Sequence, residues 1–134
     1  MMAIVPLLII PFILFNLGLT GVMGGGATGP WGQVLFSIPM MSGGSFAMTL
    51  GDLMVVIALF LLFFEIMKST RTSNASVVDH LLSTFVFVAY LVEFLLVEQA
   101  AHSVFFILMV IAFIDLIAGF SVSIRAAGRD VSFN

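Results

Sequence analysis

The chain has 134 residues, of which 62% are hydrophobic and 8% charged, and its formal net charge is −3. An ordinary globular domain carries about 45–50% apolar and about 25% charged residues, so the composition excludes a water-soluble domain and indicates an integral membrane protein. Four cations in two pairs make neither a nucleic-acid-binding surface nor a polybasic lipid patch, and the absence of cysteine excludes disulfides and thiolate metal sites.

The first hydrophobic run extends from Met2 to Thr20 and belongs to a long segment without charge, because no charged residue precedes Asp52. It contains Pro6 and Pro11, and we expect both prolines to bend the helix because each frees backbone carbonyls. The run has no basic start and no A-x-A cleavage site, so we expect a retained helix and not a secretory signal.

Residues 21–48 form a loop that is rich in glycine and uncharged, which is unusual for a loop that faces water. We predict a short helix over Trp31 to Met40 in the outer membrane interface, with Trp31 at the level of the lipid headgroups. Two alternatives stay open: the glycine-rich part lines a pore as a re-entrant loop, or the loop docks a partner protein.

Three further runs have the length of a membrane crossing, which takes about 20 apolar residues; they cover residues 50–67, 77–99 and 103–125. Thr49 and Asp52 form the capping-box pattern that opens a helix, and Ser76 and Asp79 repeat this spacing before the next run. Each pattern therefore predicts a helix start, with the aspartate as a cap.

The last two runs are separated only by EQAAH, so we expect a tight antiparallel helical hairpin. The final run is expected to end near Arg125, because Gly128 suits the left-handed residue that follows a helix. The sequence thus predicts an all-α fold. A single domain over residues 1–134 forms a four-transmembrane-helix bundle, with the glycine-rich loop facing outward between helices 1 and 2.

The orientation follows from the four cations, Lys68, Arg71, Arg125 and Arg129, which all fall on one side of a four-span bundle. By the positive-inside bias this side is the cytoplasm, so both termini are expected there, in the inner (plasma) membrane of a bacterium.

Two acids lie deep within predicted spans, where ionisable groups are costly and are candidates for function. Asp115 is near the middle of span four, and Glu93 lies outward of the middle of span three, about 9 Å from Asp115 in depth at 1.5 Å per residue. We expect them to approach through a water without direct contact. Asn16 and Tyr90 are candidate hydrogen-bond donors to Glu93.

Small and polar neighbours indicate that both acids face protein. Asp115 shares its helical face with small residues that suit close helix packing, namely Ala112, Ala118 and Gly119. Glu93 continues a broken polar stripe along span three that includes Ser83 and Asp79. The acids are thus either proton or cation carriers or groups that pair helices.

The remaining ionisable residues predict more ordinary roles. Glu65 and Lys68 suit a snorkelling surface pair at the cytoplasmic end of span two. Glu98 and His102 are weak candidates for a metal site because they supply only two ligands. His80 lies at the opposite membrane face, so the two histidines cannot hold a haem within one chain.

No motif of a known enzyme or transporter family is present, and we expect neither catalysis nor a cofactor. The primary hypothesis is a non-catalytic structural or accessory subunit of a membrane assembly or homo-oligomer. Its partners would be the lipid bilayer and other membrane subunits or copies of itself, without nucleic acid. The alternative is an oligomeric ion channel or proton- or cation-coupled transporter that uses Glu93 and Asp115, for which a hydrated cavity between the acids would be the distinguishing feature.

Overall fold

The computed structural model describes residues 6–21, 30–68 and 74–132. The elements in chain order are α1 (Ile9–Leu19), β1 (Val34–Pro39), β2 (Ser45–Thr49), α2 (Leu50–Lys68), α3 (Asn74–Leu96), a 3-10 turn (Glu98–Ala100) and α4 (Ser103–Ser132). Helix α4 is the centre of the fold, because it packs extensively against both α3 and α2, whereas α1 makes fewer contacts with the other helices.

Three helices are long and apolar enough to cross a membrane, over Leu50–Lys68, Val78–Leu96 and Ser103–Val122. This agrees with the prediction of an integral membrane protein. Helix α1 has 11 residues, or about 16 Å at 1.5 Å per residue, against a hydrocarbon core of about 30 Å. The described part of the first predicted span is therefore too short to establish a four-span bundle.

The two prolines of the first run lie where α1 begins and not in its middle. Pro6 precedes the helix, and Pro11 is its third residue. The first N–H groups of any helix lack an intrahelical acceptor, so a proline in the first turn costs no hydrogen bond. The predicted bend at these prolines is wrong, since they mark the start of the helix instead.

The predicted interfacial helix over Trp31 to Met40 is also wrong, because this segment forms strand β1 of a two-stranded antiparallel sheet. The turn between the strands has Gly43 at φ +94°, a left-handed conformation that favours glycine. The overlooked signal is two apolar runs of alternating residues on either side of SGG, which is typical of a β-hairpin.

The capping box at the start of α2 is confirmed. The Thr49 N–H donates to Asp52 Oδ2 at 3.2 Å, and the Asp52 N–H donates to Thr49 Oγ1 at 3.1 Å. The second predicted cap is wrong: α3 already begins at Asn74, so Asp79 lies within the helix, where it is buried.

The close pairing of the last two spans is confirmed. Helix α3 ends at Leu96, earlier than predicted, and the short 3-10 turn leads into α4, which packs along α3. His102 precedes α4, and its Nδ1 accepts the Val104 N–H at 3.0 Å, as an N-cap does. At the other end α4 continues through Gly128, so the predicted helix end there is wrong.

The aromatic core at the end of the bundle where α2 begins centres on Trp31. Its ring is 1% exposed and stacks on Phe15, with centroids 5.0 Å apart and planes 5° apart. Its carbonyl accepts the Gly51 N–H at 2.9 Å, which ties it to the first turn of α2. The prediction that Trp31 contacts lipid headgroups is wrong, because its ring is enclosed by protein.

Candidate functional site

The polar residues of the bundle fall into two groups. The outer group contains Glu93, Tyr90 and Asn16. The Tyr90 hydroxyl is buried and donates to the Leu8 carbonyl at 2.9 Å, which attaches the start of α1 to α3. The Asn16 amide faces Glu93 and donates to the Phe12 carbonyl at 2.9 Å. Glu93 Oε2 is buried and has no hydrogen-bond partner in the part of the chain that the structure describes.

The inner group surrounds Asp115, which is 6% exposed. The Ser83 hydroxyl of α3 is a hydrogen-bond partner of the Asp115 carboxyl, and Glu65, Lys68 and Asp79 are near enough to interact with it electrostatically. The inner group therefore brings carboxyl groups from α2, α3 and α4 to one interior region.

Glu65 connects the inner group to the start of α1. Its Oε1 accepts the Leu7 backbone N–H at 2.9 Å and the Lys68 ammonium at 2.9 Å. The predicted ion pair with Lys68 is confirmed, but its surface location is wrong, because the Glu65 side chain is only 4% exposed. A carboxylate at this position also faces the positive, N-terminal end of the α1 helix dipole, which stabilises its negative charge.

Asp79 is the most unusual member of the inner group. It is 7% exposed, and neither carboxyl oxygen has a hydrogen-bond partner within residues 6–21, 30–68 and 74–132. Its neighbour His80 is also buried, and the imidazole stacks on Phe120 of α4 with ring centroids 5.0 Å apart. A buried carboxyl without a donor is costly, so Asp79 marks a position where a hydrogen-bond donor would be stabilising.

The structure separates the two acids that the sequence analysis considered together. Asp115 interacts with Glu65, Ser83 and Asp79, whereas Glu93 interacts with Asn16 and Tyr90. The contribution of Glu65 was not predicted. A signal for Asp79 was present, because Asp79 and Ser83 are four residues apart on one face of α3.

The other predicted site residues occupy varied positions. Ala112 and Gly119 are buried, and Ala118 is half-buried. Their role in helix packing stays a prediction. Glu98 is exposed, while His102 uses Nδ1 to cap α4. Among the described residues no three His, Asp or Glu side chains are grouped closely enough to hold a metal ion.

An open groove of about 560 Å³ runs between α1 and α3. Its walls are apolar apart from Asn16 and Thr20, and its main contributors are Ile9, Ile13 and Leu17 of α1 and Leu82, Phe85 and Ala89 of α3. Asn16 thus links the groove to the outer polar group.

Comparison with known proteins adds no identity to these features. No family model, curated protein or solved structure matches the chain.

Proposed function

We propose that this protein is a small non-catalytic membrane subunit that acts by association. A transmembrane helix of another subunit, or of a second copy of the chain, would pack into the groove between α1 and α3. The observation that carries this proposal is the groove itself, which is open and almost entirely apolar. Two helices that leave an open apolar groove between them can accommodate a third helix there, and van der Waals packing drives such association in lipid.

The polar residues beside the groove favour a helix over a lipid chain as its occupant. Asn16 and Thr20 are the polar residues that line the groove. Side chains such as Asn and Thr form hydrogen bonds across helices in membranes, whereas an acyl chain offers neither donor nor acceptor. A partner helix can therefore satisfy polar groups that lipid would leave unpaired.

We also propose that α1 belongs to a full fourth crossing, with both termini in the cytoplasm of a bacterial inner membrane. The first segment runs antiparallel along α2. The Leu7 N–H bonds to Glu65 near the end of α2. Gly18 lies close to Trp31, whose carbonyl is bonded to Gly51 near the start of α2. The stretch of α2 from residue 51 to 65 rises about 21 Å at 1.5 Å per residue, so the first segment accompanies most of a crossing. The side that holds Lys68 would be cytoplasmic.

A photo-crosslinking experiment tests the association. Benzoylphenylalanine is placed at Phe85, in the groove, or at Phe60, in an apolar hollow formed by α2 alone. The two side chains are 63% and 65% exposed, so Phe60 is a control for an apolar surface that α1 and α3 do not form. We expect irradiation of native membranes to give discrete protein adducts from Phe85 and none from Phe60. An adduct of twice the chain mass would identify a second copy as the partner.

Lipid adducts alone at Phe85, or discrete protein adducts at Phe60 and none at Phe85, would contradict the proposed groove interface. The substitution is conservative at both sites because one large aromatic side chain replaces another at a surface position. Loss of folding at either site would show as loss of the protein from the membrane.

A second candidate function is proton or cation handling, and the inner group specifically favours it. Its carboxyl groups come from three helices, and Asp79 lacks a donor among the described residues. Intramembrane carboxyl groups of this kind occur in ion and proton pathways. Under this hypothesis Asp115→Asn abolishes a proton or cation flux into liposomes, while Glu98→Gln, in the exposed turn, leaves it unchanged. Absence of flux from the unmodified protein would exclude this function.

A further inference from the structure

We infer that the β1–β2 hairpin lies in the outer interface of the bilayer, with one of its two faces against lipid. In an antiparallel pair, directly opposed residues point to the same face and successive residues alternate. The register places Phe36 opposite Met48 and Ile38 opposite Phe46, so these four side chains share one face. The hairpin therefore has a continuous apolar face.

In the half of the hairpin nearest the turn, the opposite face is small and polar. Ser37 lies opposite Ala47 and Pro39 opposite Ser45, and the two serine hydroxyls are 2.8 Å apart. On the apolar face Phe36, Ile38 and Phe46 are all exposed, and the turn adds the fully exposed Met41. This division into two faces is what a peptide element at a membrane surface requires, because one side meets acyl chains and the other meets water.

The hairpin begins at the membrane because it is continuous with a membrane-crossing helix. Thr49, the last residue of β2, is followed directly by Leu50, the first residue of α2. The Leu50 N–H donates to the Gln33 carbonyl at 2.8 Å, and the adjacent bond from Gly51 to Trp31 fixes the base of the hairpin on α2. No flexible linker separates the apolar face from the bilayer.

The absence of charge favours lipid over water as the medium around this face. Residues 30–49 contain no Asp, Glu, Lys or Arg, whereas strands with open edges in water are commonly protected by charged side chains. An isolated two-stranded hairpin is only marginally stable in water. At the interface the apolar face can be buried while the backbone edges remain hydrated.

Spin-label accessibility tests this inference directly, because the chain has no native cysteine. Single cysteines at Met41 and Phe46 report on the apolar turn and face, and Ser45→Cys is the matched control on the opposite face. The labelled proteins are reconstituted in phosphatidylcholine–phosphatidylglycerol vesicles at a high lipid-to-protein ratio. Collisions with oxygen, which partitions into lipid, are compared with collisions with a water-soluble nickel chelate.

We expect the oxygen-to-nickel collision ratio at Met41 and Phe46 to exceed that at Ser45 severalfold. Equal ratios at the three positions would overturn the inference, because the apolar face would then meet water. Exclusion of both reagents at Phe46 would also overturn it, since the face would then be covered by protein. Met41 keeps the test valid if substitution of Phe46 disturbs the sheet, because the Met41 side chain is fully exposed.

Discussion

Trp31 packs between α1 and the start of α2. Its ring lies on Phe15 and against Gly18 of α1, and its carbonyl binds the Gly51 N–H of α2. A Cβ atom at Gly51 would lie 2.7 Å from Val104 Cγ2 of α4 and 3.0 Å from the Trp31 carbonyl oxygen. Both glycines therefore permit an approach that no larger residue allows.

The first prediction concerns Gly18→Ala. The added Cβ would lie 2.5 Å from Trp31 Cζ2 and 3.0 Å from Pro30 Cδ, so the enclosed indole ring has to move. We expect the free energy of unfolding in mixed detergent micelles to fall by about 1–3 kcal/mol, as is typical of overpacking. Gly32→Ala is the control, because a Cβ there meets nothing within 4 Å. Equal stability of Gly18→Ala and the unmodified chain would argue against close packing of the Trp31 ring on Gly18.

A second prediction at this scale concerns Glu65. Glu65→Ala removes the acceptor of the Leu7 N–H and the partner of the Lys68 ammonium. Loss of a buried acceptor costs about 1–3 kcal/mol, and we expect a decrease of this size in the free energy of unfolding. Glu65→Gln should lose less, because its amide oxygen can still accept the Leu7 N–H. A larger loss for Gln than for Ala would refute this role of Glu65.

At the scale of elements, α1 depends on a few specific contacts because it is short and packs sparsely. The Tyr90 hydroxyl bonds to Leu8, and the Tyr90 ring lies 5.0 Å from the Phe12 ring and 5.2 Å from the Phe105 ring. Tyr90 thus joins α1 to α3 by one hydrogen bond and one ring contact, and its second ring contact packs α3 against α4.

The third prediction follows from this arrangement. Tyr90→Phe removes the bond to Leu8 and keeps the ring, so the free energy of unfolding should fall by about 0.5–1.5 kcal/mol. Amide exchange should increase in α1 and stay unchanged in the middle of α4, because only the attachment of α1 is weakened. Tyr90→Leu removes the ring contacts as well and should cost more. Unchanged exchange in α1 after Tyr90→Phe would show that this bond does not hold the helix.

The elements differ in how far local sequence determines them. The start of α2 is predictable because the side chains of Thr49 and Asp52, three residues apart, each bond to the other's backbone N–H. The same spacing at Ser76 and Asp79 did not mark a helix start, because α3 begins earlier and Asp79 is enclosed by other helices. The hairpin differs from the predicted helix over Trp31 to Met40, because the apolar residues of β1 pair with those of β2 and are not packed as a helix by themselves.

At the scale of the whole molecule, counting residues along a span predicts the level of a residue on its own helix but not which residues of other helices it meets. The different depths of Asp115 and Glu93 stay a prediction, and in the structure the two acids interact with different residues. The same counting could not show that Glu65 and Asp115 come together, because that depends on which faces of α2 and α4 meet. The groove likewise follows from how few contacts α1 makes.

The measurement that most directly tests association is the composition and mass of the particle extracted from native membranes with its surrounding lipid. We expect a particle in which the 14.4 kDa chain is joined, in a fixed ratio, by another membrane protein or by further copies of itself. We also expect that bulky substitution in the groove, such as Ala89→Trp, releases the partner and leaves the chain folded. A single chain with lipid alone, together with an ion flux that Asp115→Asn abolishes, would contradict the proposed association.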